Sequence, residues 1–300
     1  MLGVIKDLPN EQYHASEGVS RSGLMKFRMC PEIYWNHYLN EKRPIVEATE
    51  AMNFGSAFHT MLLEPELFEK EYIVDNIPLP ELDDFPLLKD LKAEFGDASG
   101  KEMFEANKEI KFRQEQNRIF AKNLFESSSR GKIVLSKKHH EILIAMKESV
   151  ERHPQASDLI KGAVYENSIF WRDPHTDVLC KTRPDIWHDD MTVDLKTAAS
   201  ADERSFISSM VKYGYHMQSA MNFEGILHAT GKAVKNHAFI VVEKTFPFCV
   251  AVYILDETAL ETARSIFKNT LIKFKASKEN GEWQGYKTTT VSLPSWVEKF

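Results

Sequence analysis

Cysteine is scarce in this sequence, and the three cysteines lie far apart. Cys30, Cys180 and Cys249 form no Cys-x-x-Cys pair. The sequence therefore lacks both the ligand spacing of a zinc site and the dense cysteine set of a disulfide framework. We expect all three residues to be buried free thiols.

Long apolar runs and an excess of positive charge are also missing. No run of about 18 apolar residues occurs, which argues against a transmembrane helix. The N-terminal segment carries Asp7 and lacks the apolar core of a signal peptide, so we expect a cytoplasmic protein with no membrane partner. The formal net charge of −6 argues against indiscriminate polyanion binding. A local basic groove stays open, because residues 264–278 hold five basic residues and no acid.

The chain has enough apolar content for a substantial core, with 43% apolar residues in a length of 300. Apolar spacing predicts helices in the N-terminal half, and the period changes to two from Tyr165 onward. The predicted elements after that point are strands over 165–172 and 178–187, a third strand with positions 194 and 196, helices over 202–212 and 215–229, strands over 237–243 and 248–255, and a helix over 257–278. This order predicts an α/β fold with a mixed central β-sheet flanked by helices, preceded by N-terminal helical elements.

We expect one domain, residues 1–300, with three parts. Residues 1–155 form a helical part with a charged insert at 76–130, residues 156–280 form the α/β core, and residues 281–300 form a docked tail. The tail tryptophans Trp283 and Trp296, with Tyr286, are expected to pack on the body of the protein.

The most informative stretch runs from Lys181 to Thr197 and is predicted to form two short strands joined by a polar turn at 188–190. Asp185 is placed on the first strand, and Asp194 and Lys196 on the second. Because side chains alternate along a strand, Asp194 and Lys196 point to one face and Leu195 to the other. Charges beside a buried sheet are costly unless they are paired or bound to a metal. Two carboxylates and an amine therefore indicate a metal-dependent phosphodiesterase.

Several other polar residues have an ordinary structural interpretation from spacing alone. A lone helical histidine such as His59 is more often a surface or hydrogen-bonding residue than a ligand. Glu166 fits a metal site and a solvated strand face equally well. Arg21, Lys26 and Arg28 could contact phosphate, but solvated charges are the simpler interpretation.

Four segments, in the same order as in the family, resemble the PD-(D/E)xK nuclease superfamily, in the branch of RecB-type nuclease domains and the RecE exonuclease (exonuclease VIII). Ser20 to Pro31 resembles the opening Ser-x-Ser-x-Leu…Cys-Pro segment, and Gly55 to His59 the helical Gly-x-x-x-His motif. Arg183-Pro-Asp185 with Val193-Asp-Leu-Lys-Thr resembles the nuclease core. Tyr215-His-Met-Gln218 resembles the Tyr-x-x-Gln motif, and the Trp283-Gln-Gly-Tyr286 tail favours the RecE-like branch.

The resemblance implies a set of site residues and a cofactor. Asp185, Asp194 and the carbonyl of Leu195 would bind Mg²⁺ or Mn²⁺, and His59 would become a metal ligand. Gln218 would lie beside the site and orient water or phosphate, with Tyr215 near it. An iron–sulfur cluster is not expected, because Cys30 has no cysteine partners after Cys249.

The implied activity is 5′-to-3′ exonucleolytic cleavage of double-stranded DNA ends, which leaves 3′ single strands for recombination. A homo-oligomeric ring and a RecT-like single-strand annealing partner are implied with it. Lys196 either deprotonates the attacking water, which needs a lowered pKa, or stabilises charge while a metal does so. The alternatives are a RecB-like endonuclease, a helicase-associated nuclease, or a non-catalytic DNA-binding scaffold. A motor would be a separate protein, because the chain has no Gly-x-x-x-x-Gly-Lys loop.

Overall fold

A computed structural model describes residues 2–44, 49–75 and 100–294. In the part of the chain that it describes, the helices are α1 (Asn10–Ala15), α2 (Arg21–Met29), α3 (Pro31–Tyr38), α4 (Glu50–Leu63), α5 (Pro65–Glu71), α6 (Gly100–Ser128), α7 (Lys137–Arg152), α8 (Pro154–Ile160), α9 (Glu203–Tyr213), α10 (Tyr215–Thr230) and α11 (Glu257–Asn280). The strands are β1 (Gly3–Ile5), β2 (Tyr72–Asp75), β3 (Ile133–Ser136), β4 (Val164–Tyr165), β5 (Ser168–Arg172), β6 (Leu179–Thr182), β7 (Ile186–Trp187), β8 (Met191–Ala198), β9 (Asn236–Glu243) and β10 (Val250–Ile254).

The chain divides into two compact units. The first unit contains residues 1–55 and 146–300, and the second contains residues 56–145. In the second unit, β2 and β3 pair in parallel. The predicted single-domain organisation stays a prediction, and positions 76–99 of the predicted charged insert lie outside the described residues.

Two sheets form the frame of the first unit. A five-stranded sheet has the order β10-β9-β8-β7-β4, and a three-stranded sheet has the order β1-β5-β6. The β8–β9 pair is parallel, whereas β7–β8 and β9–β10 are antiparallel. The sheet is therefore mixed, and helices flank it, so the predicted α/β class is confirmed.

Two of the predicted strands are each split in two, because the chain changes sheets twice. The predicted strand 165–172 is split into β4 and β5, and the predicted strand 178–187 is split into β6 and β7. Glu166 has a left-handed backbone with φ of 48°, which an extended strand does not contain. Pro184 has no N–H to donate to a ladder, so it favours the second interruption. Asp185 consequently lies in a bend before β7 and not on a strand.

Helix α10 packs against β5 and β6, and α11 packs against α10. This contact is close because Gly225 of α10 faces the buried ring of Trp171 on β5. A Cβ at Gly225 would lie 2.9 Å from Cζ3 of Trp171. The glycine therefore sets how near α10 and its polar residues come to the sheet.

The N-terminal and C-terminal segments show further outcomes of the sequence predictions. The Ser20 hydroxyl accepts a hydrogen bond from the N–H of Gly23, so Ser20 is the N-cap of α2. Trp283 packs on Phe27, Tyr34 and Phe274, as expected of a docked tail.

Two expectations of burial are wrong. Tyr286 is 77% exposed, so its ring does not dock on the body of the protein. Cys249 is exposed, whereas Cys30 and Cys180 are buried thiols as predicted. Trp296 lies outside the described residues.

Within the described ranges, no helix has the length and apolarity needed to cross a membrane.

Candidate active site

The second half of the predicted motif lies on β8 as expected. Asp194 and Lys196 form an ion pair along one face of this strand. The Asp194 side chain is 6% exposed and that of Lys196 is 18% exposed. Val193 and Leu195, on the opposite face, are fully buried. The strand thus holds a carboxylate and an ammonium group at the edge of the core.

Asp185 approaches the same strand from the bend before β7. The main-chain N–H of Leu195 donates a 2.7 Å hydrogen bond to Oδ2 of Asp185. The N–H of Glu166 donates to the main-chain carbonyl of Asp185 at 3.2 Å. Carboxylate oxygens of Glu166 and Asp185 lie within 4.8 Å of each other. The two interruptions between the sheets therefore place two acids next to each other.

The electrostatics of the β8 pair are mutually reinforcing. Burial alone would raise the pKa of Asp194, but Lys196, together with His237, holds that pKa below its ordinary value. Burial alone would lower the pKa of Lys196, but Asp194 and Asp185 hold that pKa above its ordinary value. Lys196 is therefore an ammonium group at neutral pH in this arrangement. The lowered pKa that a general base would need is not found here.

Gln218 reaches this region from the first turns of α10. Its Nε2 donates to Oγ1 of Thr182 and to Oδ1 of Asn222, both at 3.0 Å. Its Oε1 accepts a 3.1 Å hydrogen bond from Nε of Arg21. The amide therefore has a defined orientation, because Thr182 and Asn222 are both buried. Tyr215, one turn earlier, lies with its ring centroid 5.2 Å from Nζ of Lys196.

Arg21 is the residue of this region that the sequence interpretation missed. It was expected to be a solvated charge, but it bridges α2 to the start of α10. Its Nη1 donates to the Tyr213 carbonyl at 2.9 Å, and its guanidinium lies 5.7 Å from the Tyr215 ring centroid. The one sequence signal was its position inside the segment that resembles the opening motif of the family.

Two basic residues of the motif stretch have a structural role. The Lys181 ammonium donates to the carbonyls of Tyr13, His14 and Ser16. Arg183 donates to Ser168 and to the Leu8 carbonyl. Both side chains hold the N-terminal segment against the sheets.

His59 lies on α4, in the part of this helix that belongs to the second unit. It follows Gly55 by four residues and so shares its helix face. Gly55 itself belongs to the first unit, and a Cβ there would lie 3.9 Å from Oγ1 of Thr197 on β8. A ligand role for His59 stays a prediction.

The donor set of the first unit fits a hard divalent cation. Glu166, Asp185, Asp194 and the Leu195 carbonyl offer oxygen atoms, which Mg²⁺ and Mn²⁺ prefer. The Leu195 carbonyl accepts a 3.2 Å hydrogen bond from Nζ of Lys196, and a carbonyl has a second lone pair for a metal. Close packing of two carboxylates without a cation is unfavourable, which also fits a metal centre.

A comparison with protein families assigns the chain to a family. Residues 20–289 match the family described as a PDDEXK-like domain of unknown function (DUF3799). The chain belongs to this family. The predicted membership of the PD-(D/E)xK nuclease superfamily is thereby confirmed, and the matched range includes every candidate residue described above.

A solved structure agrees with this assignment at the level of the fold. A structure from Eubacterium rectale, described as a "Putative exonuclease", is 16% identical and has a TM-score of 0.58. The alignment covers 98% of this chain and 98% of that chain. The structure of SSO0001 is 13% identical over 73% of this chain and 85% of that chain, with a TM-score of 0.26. No curated protein sequence matches the chain.

Proposed function

We propose that this PDDEXK-like protein is a metal-dependent exodeoxyribonuclease. The observation that carries the proposal is the meeting of Asp185 with the Asp194–Lys196 pair through the N–H of Leu195. A DNA-binding scaffold would have no need of a buried carboxylate, a second acid hydrogen-bonded to the same strand, and an ammonium group beside them. The non-catalytic alternative is therefore less well supported.

The cation would be held by Asp185, Asp194 and the Leu195 carbonyl, with Glu166 beside Asp185 as a further oxygen donor. When bound, Mg²⁺ or Mn²⁺ activates water and stabilises negative charge on the scissile phosphate. His59 is proposed as an additional ligand on the basis of the Gly-x-x-x-His resemblance. The sheet interruptions support this set, because they bring carboxylate oxygens of Glu166 and Asp185 within 4.8 Å of each other.

Lys196 is assigned an electrostatic role. Asp194 and Asp185 raise the pKa of Lys196 in the metal-free site, which favours an ammonium group that stabilises developing charge on the phosphate. Gln218 orients water or the phosphate through an amide that Thr182 and Asn222 hold in place. The Tyr215 ring lies beside Lys196, with its centroid 5.2 Å from Nζ.

The finer parts of the proposal rest on the resemblance to RecE-type exonucleases. They are 5′-to-3′ polarity on double-stranded DNA ends, 3′ single-stranded products for recombination, a homo-oligomeric ring and a RecT-like annealing partner. The description of the Eubacterium rectale protein as a "Putative exonuclease" supports exonuclease over endonuclease activity. A RecB-like endonuclease or a helicase-associated nuclease is the second candidate.

The test uses end-labelled linear DNA and covalently closed circular DNA, each with Mg²⁺ and with EDTA. We expect metal-dependent loss of the linear DNA and survival of the circles. Asp194→Asn should abolish cleavage and keep DNA binding. The matched control is Asp189→Asn in the turn between β7 and β8, where the side chain is 95% exposed, and it should cleave normally. Cleavage of closed circles would overturn the exonuclease proposal, and full activity of Asp194→Asn would overturn the site.

A further inference from the structure

The turn between α9 and α10 carries two tyrosine rings in contact. Tyr213 and Tyr215 are stacked, with centroids 5.6 Å apart and an interplanar angle of 27°. The inner ring, Tyr215, is half-buried beside Lys196, and the outer ring, Tyr213, is 47% exposed. The pair therefore leads from the catalytic ion pair to the protein surface.

Cations accompany both rings. The Lys212 ammonium lies 5.2 Å from the centroid of Tyr213, and the Arg21 guanidinium lies 5.7 Å from that of Tyr215. Among the described residues, neither cation forms an ion pair with a carboxylate. The Lys212 ammonium can therefore contact an anionic ligand directly. Arg21 donates to Gln218 and to the Tyr213 carbonyl and adds positive charge beside it. The excess of positive charge favours a polyanion as the ligand.

The position of the outer ring is constrained by α2. Gly214 has φ of 66°, and a Cβ at this position would lie 2.3 Å from Sδ of Met25. Arg21, one turn before Met25, donates to the Tyr213 carbonyl at 2.9 Å. Met25 packs against Gly214, and Arg21 holds the Tyr213 carbonyl. The backbone of the turn therefore loses little conformational freedom when Tyr213 binds a ligand.

We propose that Tyr213, Lys212 and Arg21 form a binding subsite for a nucleic-acid strand beside the active site. The exposed ring of Tyr213 stacks on an unpaired base, and the two cations contact the adjoining phosphates. Stacking on an aromatic ring tolerates every base, which suits an enzyme that degrades DNA irrespective of sequence. The inference rests on the proposed function, because that function supplies the strand.

Binding is measured in EDTA with a single-stranded oligonucleotide that carries 2-aminopurine, whose fluorescence is quenched when the base stacks. The full-length protein should quench the probe, and Tyr213→Ala should bind it about tenfold more weakly and lose the quenching. Tyr213→Phe keeps the ring, so its affinity for the probe and its quenching should match those of the wild type. Tyr286→Ala removes a tyrosine that is 77% exposed in the tail, and it should leave both unchanged.

Lys212→Gln gives an independent measure of the phosphate contact. It should weaken binding and lower the slope of log affinity against log salt by about 1. Unchanged affinity and quenching in Tyr213→Ala would overturn the subsite, even if metal-dependent cleavage persists. Absence of cleavage by the wild-type protein with quenching intact would instead overturn the nuclease proposal and leave a strand-binding site.

Discussion

The main-chain N–H of Leu195 donates its hydrogen bond to the Asp185 side chain, 2.7 Å away, and not to a neighbouring strand. The acid that precedes β7 is thereby fixed to β8, the strand that carries Asp194 and Lys196. Asp185 is 9% exposed, so water does not replace this bond easily. This hydrogen bond gives Asp185 a structural role in addition to its proposed metal-binding role, so the two roles can be tested separately.

Asp185→Asn and Asp185→Ala should therefore differ in stability but not in activity. The asparagine amide oxygen still accepts from Leu195, so this variant should unfold in urea near the wild-type midpoint. The alanine variant leaves a buried N–H without its acceptor and should lose about 1–3 kcal/mol. Both variants should fail to degrade linear DNA with Mg²⁺. Wild-type activity in the asparagine variant would remove Asp185 from the metal site.

Lys196→Met should leave Asp194 buried without its counter-charge. We expect the free energy of unfolding to fall by about 3–5 kcal/mol at pH 7 in EDTA. In the wild type, the pKa of Asp194 in the folded protein lies below its ordinary value of 3.8. The pair therefore stabilises the protein above pH 3.8, and this stabilisation is lost as the pH falls through the folded-state pKa. In the variant, burial raises the pKa of Asp194, so the variant should regain stability as pH falls from 7. Urea unfolding across pH measures both slopes.

The double variant Asp194→Asn/Lys196→Met serves as the control for this pair. It removes the unpaired carboxylate as well as the ammonium, so it should be more stable at pH 7 than Lys196→Met alone. It should remain inactive. A double variant no more stable than the single variant would show that the ion pair is not what Lys196 contributes to folding.

His237 on β9 should contribute to the loss of stability at acidic pH. Burial lowers the pKa of His237 from 6.5 to about 4, and its Nδ1 lies 2.8 Å from Oγ1 of Thr192. Between these two pH values the unfolded chain binds a proton that the folded chain does not, so stability falls as pH falls. The contribution is roughly 3 kcal/mol. His237→Asn keeps a polar group for Thr192 without titrating, and its stability should depend less on pH from 6.5 to 4.

Two glycines should respond oppositely to alanine. Gly225→Ala places a methyl group 2.9 Å from the buried Trp171 ring and should cost about 1–2 kcal/mol despite the better helix propensity. Gly55→Ala meets only Oγ1 of Thr197 at 3.9 Å and should gain up to about 1 kcal/mol. Thermal and urea unfolding compare the pair. Destabilisation by both variants would show that contact outweighs helix propensity at both sites.

The parts of the site that could be predicted from sequence follow local rules. Asp194 and Lys196 share a face because side chains alternate along an extended strand, and the apolar neighbours Val193 and Leu195 identify that strand. The polar turn before it is confirmed by the His188 N–H, which donates to the Met191 carbonyl at 2.8 Å. Alternation and turn composition were sufficient for this hairpin.

The parts that could not be predicted depend on distant contacts. The apolar pattern around Asp185 continues through Pro184, so periodicity alone does not reveal that the chain leaves one sheet for the other. Arg21 meets Gln218 across 197 positions in the sequence, and no local pattern distinguishes it from a solvated arginine. Glu166 has a strand-like neighbourhood but a left-handed backbone, which the sequence does not show.

The ammonium group of Lys181, held by the carbonyls of Tyr13, His14 and Ser16, is expected to make its contacts late in folding. Its contacts span more than 160 positions, and the bend that carries Asp185 begins two residues later. Closing such long loops is slow, because their entropy is lost before the contacts form. The bend that carries Asp185 is thus expected to form late, after the N-terminal segment docks. The proposed active site would then be completed only near the end of folding.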